Sequence, residues 1–76
     1  MSKLSSAALL KVNQSAIIVG FYDDVVAMKL NSMGVLLNAD ITVIRKAPFG
    51  KTFYVKINQH QMLALRLEEM QQIKIA

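Results

Sequence analysis

Lys29-Leu30-Asn31-Ser32-Met33-Gly34 is the stretch on which the fold turns, and three later pieces keep step with it: Ala47-Pro48-Phe49-Gly50, Leu63-Ala64-Leu65-Arg66 and Ile73-Lys74-Ile75. Asp23 or Asp24 can cap a helix that runs to about Met33 and places Val26, Leu30 and Met33 on one face. Lys29 and Asn31 point away from that face. Gly34 ends the helix, because a left-handed backbone is least strained in a residue without a Cβ.

Working upstream, Ser15 to Tyr22 is rich in Ile and Val without clear alternation, the pattern of a first strand buried on much of both faces. Lys11-Val12-Asn13-Gln14 reads as a turn, since Asn tolerates positive φ. Leu4 to Leu10, with Ser5 or Ser6 as N-cap, reads as one or two helical turns.

Downstream, Leu37-Asn38-Ala39-Asp40 is a second tight turn, followed by a β-branched run from Ile41 to Lys46. Pro48 has no amide proton to give a ladder, so the strand ends or bends there. Phe53, Val55 and Ile57 then alternate with Tyr54, Lys56 and Asn58, the period of a half-buried strand. The turn at Asn58-Gln59-His60-Gln61 leads into Met62 to Arg66, where Leu63 and Leu65 share a face and complete a hairpin. Leu67 to Met70 fits one helical turn, and Ile73 and Ile75 close the chain. The sum is a mainly β protein with short helices: an SH3-like small β-barrel of about five strands, with a helix after the first. An oligonucleotide-binding barrel usually carries its main helix between the third and fourth strands, so it fits less well.

Size and composition narrow the function. Seventy-six residues are expected to make a single domain, 1–76, and 54% hydrophobic against 18% charged residues places the chain far from disordered compositions. The absence of cysteine removes disulfides, thiolate metal sites and cysteine nucleophiles. The longest apolar stretch, Ala16 to Phe21, is far short of the roughly 20 residues that span a bilayer. Lys3 with Leu4 to Leu10 loosely imitates a signal sequence, but Ser5 and Ser6 interrupt it. A soluble, cytoplasmic protein is expected. The net charge of +4 comes from Lys and Arg scattered along the chain, with only Arg45-Lys46 adjacent, which reads as a solvated mixed surface.

No chemistry assembles from the residue types. There is no GxxxxGK[ST] phosphate loop and no convincing set of nucleophile, base and orienter. His60 is the sole histidine, and ferrous iron needs several converging imidazole or carboxylate ligands. Asp23-Asp24 and Glu68-Glu69 read as helix-start charges. No catalytic, cofactor-binding or metal residue is assigned. Met28, Met33, Met62 and Met70 read mostly as core fillers. Phe49, between Pro48 and Gly50, either folds over the barrel end or protrudes as an anchor, with the pattern evenly balanced. Arg66 reads first as a local partner of Glu68 or Glu69, and otherwise as a cation offered to a partner.

Taken together, Lys29-Leu30 with Met33-Gly34, the full Ala47-Pro48-Phe49-Gly50 turn and Leu65-Arg66 resemble the ferrous iron transport protein A (FeoA) family, over about Leu10 to Ile75. Two turns that in the family usually read Pro-Gly are Val12-Asn13 and Leu37-Asn38 in this chain, and Lys51-Thr52 stands where the family often has Asp-Pro. The resemblance implies an SH3-like barrel of iron homeostasis, with transition metal ion binding as a family property. It also implies association with the cytoplasmic GTPase region of the membrane ferrous-iron transporter FeoB, peripheral to the inner membrane. Lys29, Met33, Pro48, Phe49, Gly50, Lys51 and Arg66 are the partner-binding candidates. No cofactor, nucleic acid or direct membrane insertion is expected; an exposed Phe49 or a strand edge leaves homo-oligomers open.

Three alternatives stand beside that expectation. A nucleic-acid-binding barrel would use the +4 charge with Tyr22, Tyr54 and Phe49 as stacking groups. The SH3-like tail of a metal-dependent transcriptional repressor resembles the same family, but no helix-turn-helix region precedes this barrel. Proline-rich peptide binding needs an aromatic groove that a chain without Trp is poorly equipped to form.

Overall fold

A computed structural model describes residues 5–76. In chain order the elements are β1 (Ser5–Ser6), β2 (Ser15–Phe21), α1 (Asp24–Ser32), β3 (Asp40–Lys46), β4 (Thr52–Ile57), β5 (Gln61–Arg66), α2 (Leu67–Met70) and β6 (Ile73–Ile75), with 3-10 turns at Ala7–Leu9 and Pro48–Gly50. All ladders are antiparallel, and the strands lie in the order β1-β6-β2-β3-β4-β5. Among the described residues no ladder joins β5 back to β1, so the curled sheet stays open at that seam.

The helix forms where its sequence says. The Asp23 carboxylate accepts the Val25 and Val26 amides at 2.8 and 3.3 Å, taking up two of the donors that a helix start leaves orphaned. At the other end the Gly34 amide donates to Asn31 and the Val35 amide to Leu30, the paired bonds of a Schellman motif. Gly34 sits at φ 95°, and a Cβ built there would lie 2.8 Å from Gln61 Oε1. Gln61 is held close because its amide nitrogen donates to the Met33 carbonyl at 3.0 Å, so a residue at the start of β5 caps the end of α1.

Leu30 drives the helix into a core of Ile18, Val35, Ile41, Val43, Phe53, Val55, Ile57, Leu65, Met70 and Ile73, all buried, with Val26 and Met33 packed partly against it. Each such aliphatic side chain contributes about 1.5–3 kcal/mol when fully buried. The turns supply the reversals: Lys11 to Gln14 and Leu36 to Ala39 each close with an i to i+3 main-chain bond, with Asn13 and Asn38 at φ 70° in the third position. Positive φ there is the mark of a type II turn, whose favoured central pair is Pro-Gly. Asn fills the position through its tolerance of the left-handed region.

Four expectations change. There are six strands: Ser5 and Ser6 pair with Ile75 and Lys74 where a helix start was expected, and a single 3-10 turn follows. The open edge of β6 offers main-chain partners that outweigh local helix propensity; Leu4, the expected first residue, lies outside the described residues. Secondly, β2 is buried on one face only, around Ile18, while Ile17 and Val19 stay exposed. Its β-branched residues line both faces and hide the alternation. Thirdly, of the described methionines only Met70 is fully buried; Met33 packs partly against the core, whereas Met28 and Met62 are exposed. Finally, the ion pair expected for Arg66 forms instead between Lys29 and Glu69, at 2.7 Å.

Candidate partner-binding site

Pro48 to Gly50 forms the tip between β3 and β4. The Ala47 amide donates to the Thr52 carbonyl at 2.9 Å and the Gly50 amide to the Ala47 carbonyl at 3.1 Å, closing a tight loop with Pro48 in its second position. Phe49 occupies the third position at φ 73°, ψ 2°, the positive φ that marks the turn as type II. A bulky aromatic in the left-handed region is strained by about 1–2 kcal/mol. Its ring does not recover this by burial, because Phe49 is 94% exposed. Of the two orientations open to it, the ring takes the protruding one.

Lys51 and Arg66, distant in sequence, meet beside this tip. β4 and β5 pair with Thr52 opposite Arg66, and the Leu67 amide donates to the Lys51 carbonyl at 2.9 Å. Lys51, Thr52, Arg66, Leu67 and Glu68 line an open cleft of about 400 Å³. Phe49, Gly50, Lys51 and Arg66 thus belong to one neighbourhood.

Lys29 and Met33 lie elsewhere and are tied to the framework. The Glu69 carboxylate uses one oxygen for Lys29 Nζ and the other for the Arg66 amide, at 2.8 Å, so it joins α1 to the start of α2. Partial burial works to raise the Glu69 pKa, but the Lys29 ammonium and the Arg66 amide outweigh it and hold the carboxyl below its ordinary range. Sequence reading treated Glu69 as a helix-start charge and missed the bridge to Lys29. The three-residue spacing Arg66-x-x-Glu69 signals the amide contact; nothing local signals the contact with Lys29.

The cations also partition. Residues 41–67 hold Arg45, Lys46, Lys51, Lys56 and Arg66 and no Asp or Glu, a net +5, whereas the rest of the chain carries four cations and five acids. β3, β4 and β5 gather this acid-free run into three adjoining strands. Arg45 lies 5.0 Å from the Tyr54 ring centre and Lys46 5.2 Å from that of Phe53. Lys74 similarly covers Tyr22 at 4.9 Å. Two of the three rings considered for base stacking are therefore occupied by the protein's own cations, leaving Phe49. His60 is exposed in the β4–β5 turn, and among the described residues no three His, Cys, Asp or Glu side chains come together to hold a metal ion. No described helix is long and apolar enough to cross a membrane.

Short antiparallel strands curled around one aliphatic core, with a helix crossing between β2 and β3, define an SH3-like domain. The FeoA domain model matches residues 6–76, and the chain belongs to that family. Among similar solved structures, the FeoA-like protein of Clostridium acetobutylicum is 22% identical with a TM-score of 0.88, over 100% of this chain and 88% of that one. The FeoA of Stenotrophomonas maltophilia, solved with zinc and described as a prokaryotic SH3 domain protein, is 21% identical with a TM-score of 0.80, over 95% and 89%. A manganese-dependent transcriptional repressor superposes with a TM-score of 0.86 at 14% identity, over all of this chain but 37% of the repressor, which is a likeness of fold alone. No match was found among curated protein sequences.

Proposed function

We propose that this protein is a non-enzymatic interaction module for a ferrous-iron transporter. It works in the cytoplasm, docks on the GTPase region of FeoB and is held at the inner membrane through that partner. The observation that carries the reading is Phe49: a strained aromatic presented almost fully to solvent, between Pro48 and Gly50 and beside the cleft of Lys51 and Arg66. Strain of this kind persists where the surrounding structure enforces it, and protruding aromatics flanked by Arg are the residue types that anchor interfaces. Family membership supplies the link to ferrous iron transport. Any GTP chemistry belongs to the partner.

Titrating the transporter's cytoplasmic region with this protein tests the reading. Saturable binding is expected, weakened about tenfold or more by Phe49→Ala, a loss typical of a central interface aromatic. If neither that region nor the full-length transporter binds, the proposal fails.

A further inference from the structure

Among the described residues, β5 ends the strand order and pairs only with β4. In an antiparallel ladder, alternate residues turn their N–H and C=O groups toward and away from the neighbour. One bond fixes the phase. The Asn58 amide donates to the Asp40 carbonyl, so Asn58 and Lys56 face β3 while Ile57, Val55 and Phe53 face β5. Their partners Gln61, Leu63 and Leu65 face inward to the ladder. Met62, Ala64 and Arg66 therefore face outward. The Arg66 amide is taken by Glu69, whereas among the described residues no hydrogen bond outside the ladders engages the main-chain groups of Met62 or Ala64, and both residues are exposed.

Natural sheets blunt such an edge with proline, lysine, a bulge or a covering element. β5 has none of the first two, its ladder with β4 runs without a register shift, and the neighbouring helices meet only its ends, α1 at Gln61 and α2 at Arg66. The face above the edge is also selective. Arg66 lies on β5 itself and Lys56, opposite Met62, lies one strand behind it, so an added strand would meet Arg66 directly and Lys56 across β5, within the stretch of sequence that carries +5.

We infer that the β5 edge accepts an extended, acidic segment of a partner protein as a seventh strand. Main-chain bonds at Met62 and Ala64 give the docking, and Arg66 and Lys56 choose carboxylates. The charge pattern argues against a second copy, since pairing β5 with β5 would place two +5 regions side by side. The inference rests on the interaction-module reading and specifies the chemistry of the partner.

The test is amide exchange by NMR on the full chain. In the free protein the Met62 and Ala64 amides should exchange rapidly while Leu63 and Leu65 are protected. Two probes are then added separately: the transporter's cytoplasmic region, and a nonapeptide of alternating Val and Glu that does not depend on the transporter. Protection of Met62 and Ala64 by at least tenfold with either probe supports the edge. Ala64→Pro removes an outward donor without touching the β4 ladder and should weaken binding by at least tenfold. Should that variant misfold, Lys56→Glu with Arg66→Glu should produce the same loss through charge. Transporter binding that leaves both amides exchanging fast, with no effect of either probe on the edge, overturns this inference but not the module reading. Edge protection by the peptide alone sustains the inference while the module reading fails. Protection that appears only with a mixed-sequence oligonucleotide, or only as the protein dimerises, overturns it.

Discussion

The chain leaves the αR or β region beside two of its glycines in opposite ways. At the end of α1, Gly34 itself takes φ 95°, and Gln61 closes over the space a side chain would fill. At the β3–β4 tip Gly50 also takes positive φ, 67°, but Phe49 precedes it in the left-handed region too, with nothing within 4 Å of where a Cβ on Gly50 would stand. One site obeys local conformational chemistry and is packed; the other violates it and is bare. The first is explained by folding, because the Schellman bonds and the Gln61 cap have nowhere else to form. The second is not, and on that difference rests the proposal that the tip binds a partner.

The comparison can be broken most forcefully at Gly34. Gly34→Ala puts a Cβ into the Gln61 amide at a φ that L-residues rarely adopt, and should destabilise the fold by about 2 kcal/mol or more in urea or thermal unfolding. A loss under about 0.5 kcal/mol would mean that the helix end is looser than its bonds indicate. At the tip the sign should reverse. Phe49→Gly relieves the left-handed strain and is expected to raise stability by about 1 kcal/mol, while abolishing measurable binding to the transporter region. A tip variant that lost stability would show that Phe49 packs, and the contrast would disappear.

A smaller effect separates framework from site through Lys29. Because the folded Glu69 carboxyl lies below its unfolded value, its contribution is fully present above about pH 4.5 and is lost as pH falls through the depressed folded value. Lys29 is 63% exposed, so the pair should contribute under about 1 kcal/mol. Unfolding of Glu69→Gln should therefore be less sensitive to acid than that of the wild type, and the two should converge at low pH. An identical pH profile for both would remove Glu69 as the link between α1 and α2.

Much of this was legible in the residues. Asp23, Leu30 and Gly34 mark the helix; Phe53, Val55 and Ile57 mark the core face of β4; Pro48 marks the end of β3. The two-residue strand at Ser5 was not legible, because a strand that short has no period to read and exists only through its pairing with β6. The faces of β2 were hidden by β-branched residues on both sides. At the site, Lys51 and Arg66 could be named from the sequence, but their shared cleft depends on the register of Thr52 against Arg66. Pro48 announces a turn without saying that Phe49 carries its positive φ. The acid-free run from Ile41 to Leu67 could be counted in the sequence, yet it meant little until three strands were seen to fold it together.

The pairing of Ser5 with Ile75 has one more consequence, for how this fold can be carried. Both ends of the described chain leave from neighbouring strands at one extreme of the strand order, and β5 lies at the other. Because the sheet curls, β1 and β5 border the same open seam, and the two ends of the described chain lie side by side next to it. A larger architecture could therefore take up this domain at a single point, with both connections made through the paired Ser5 and Ile75 strands.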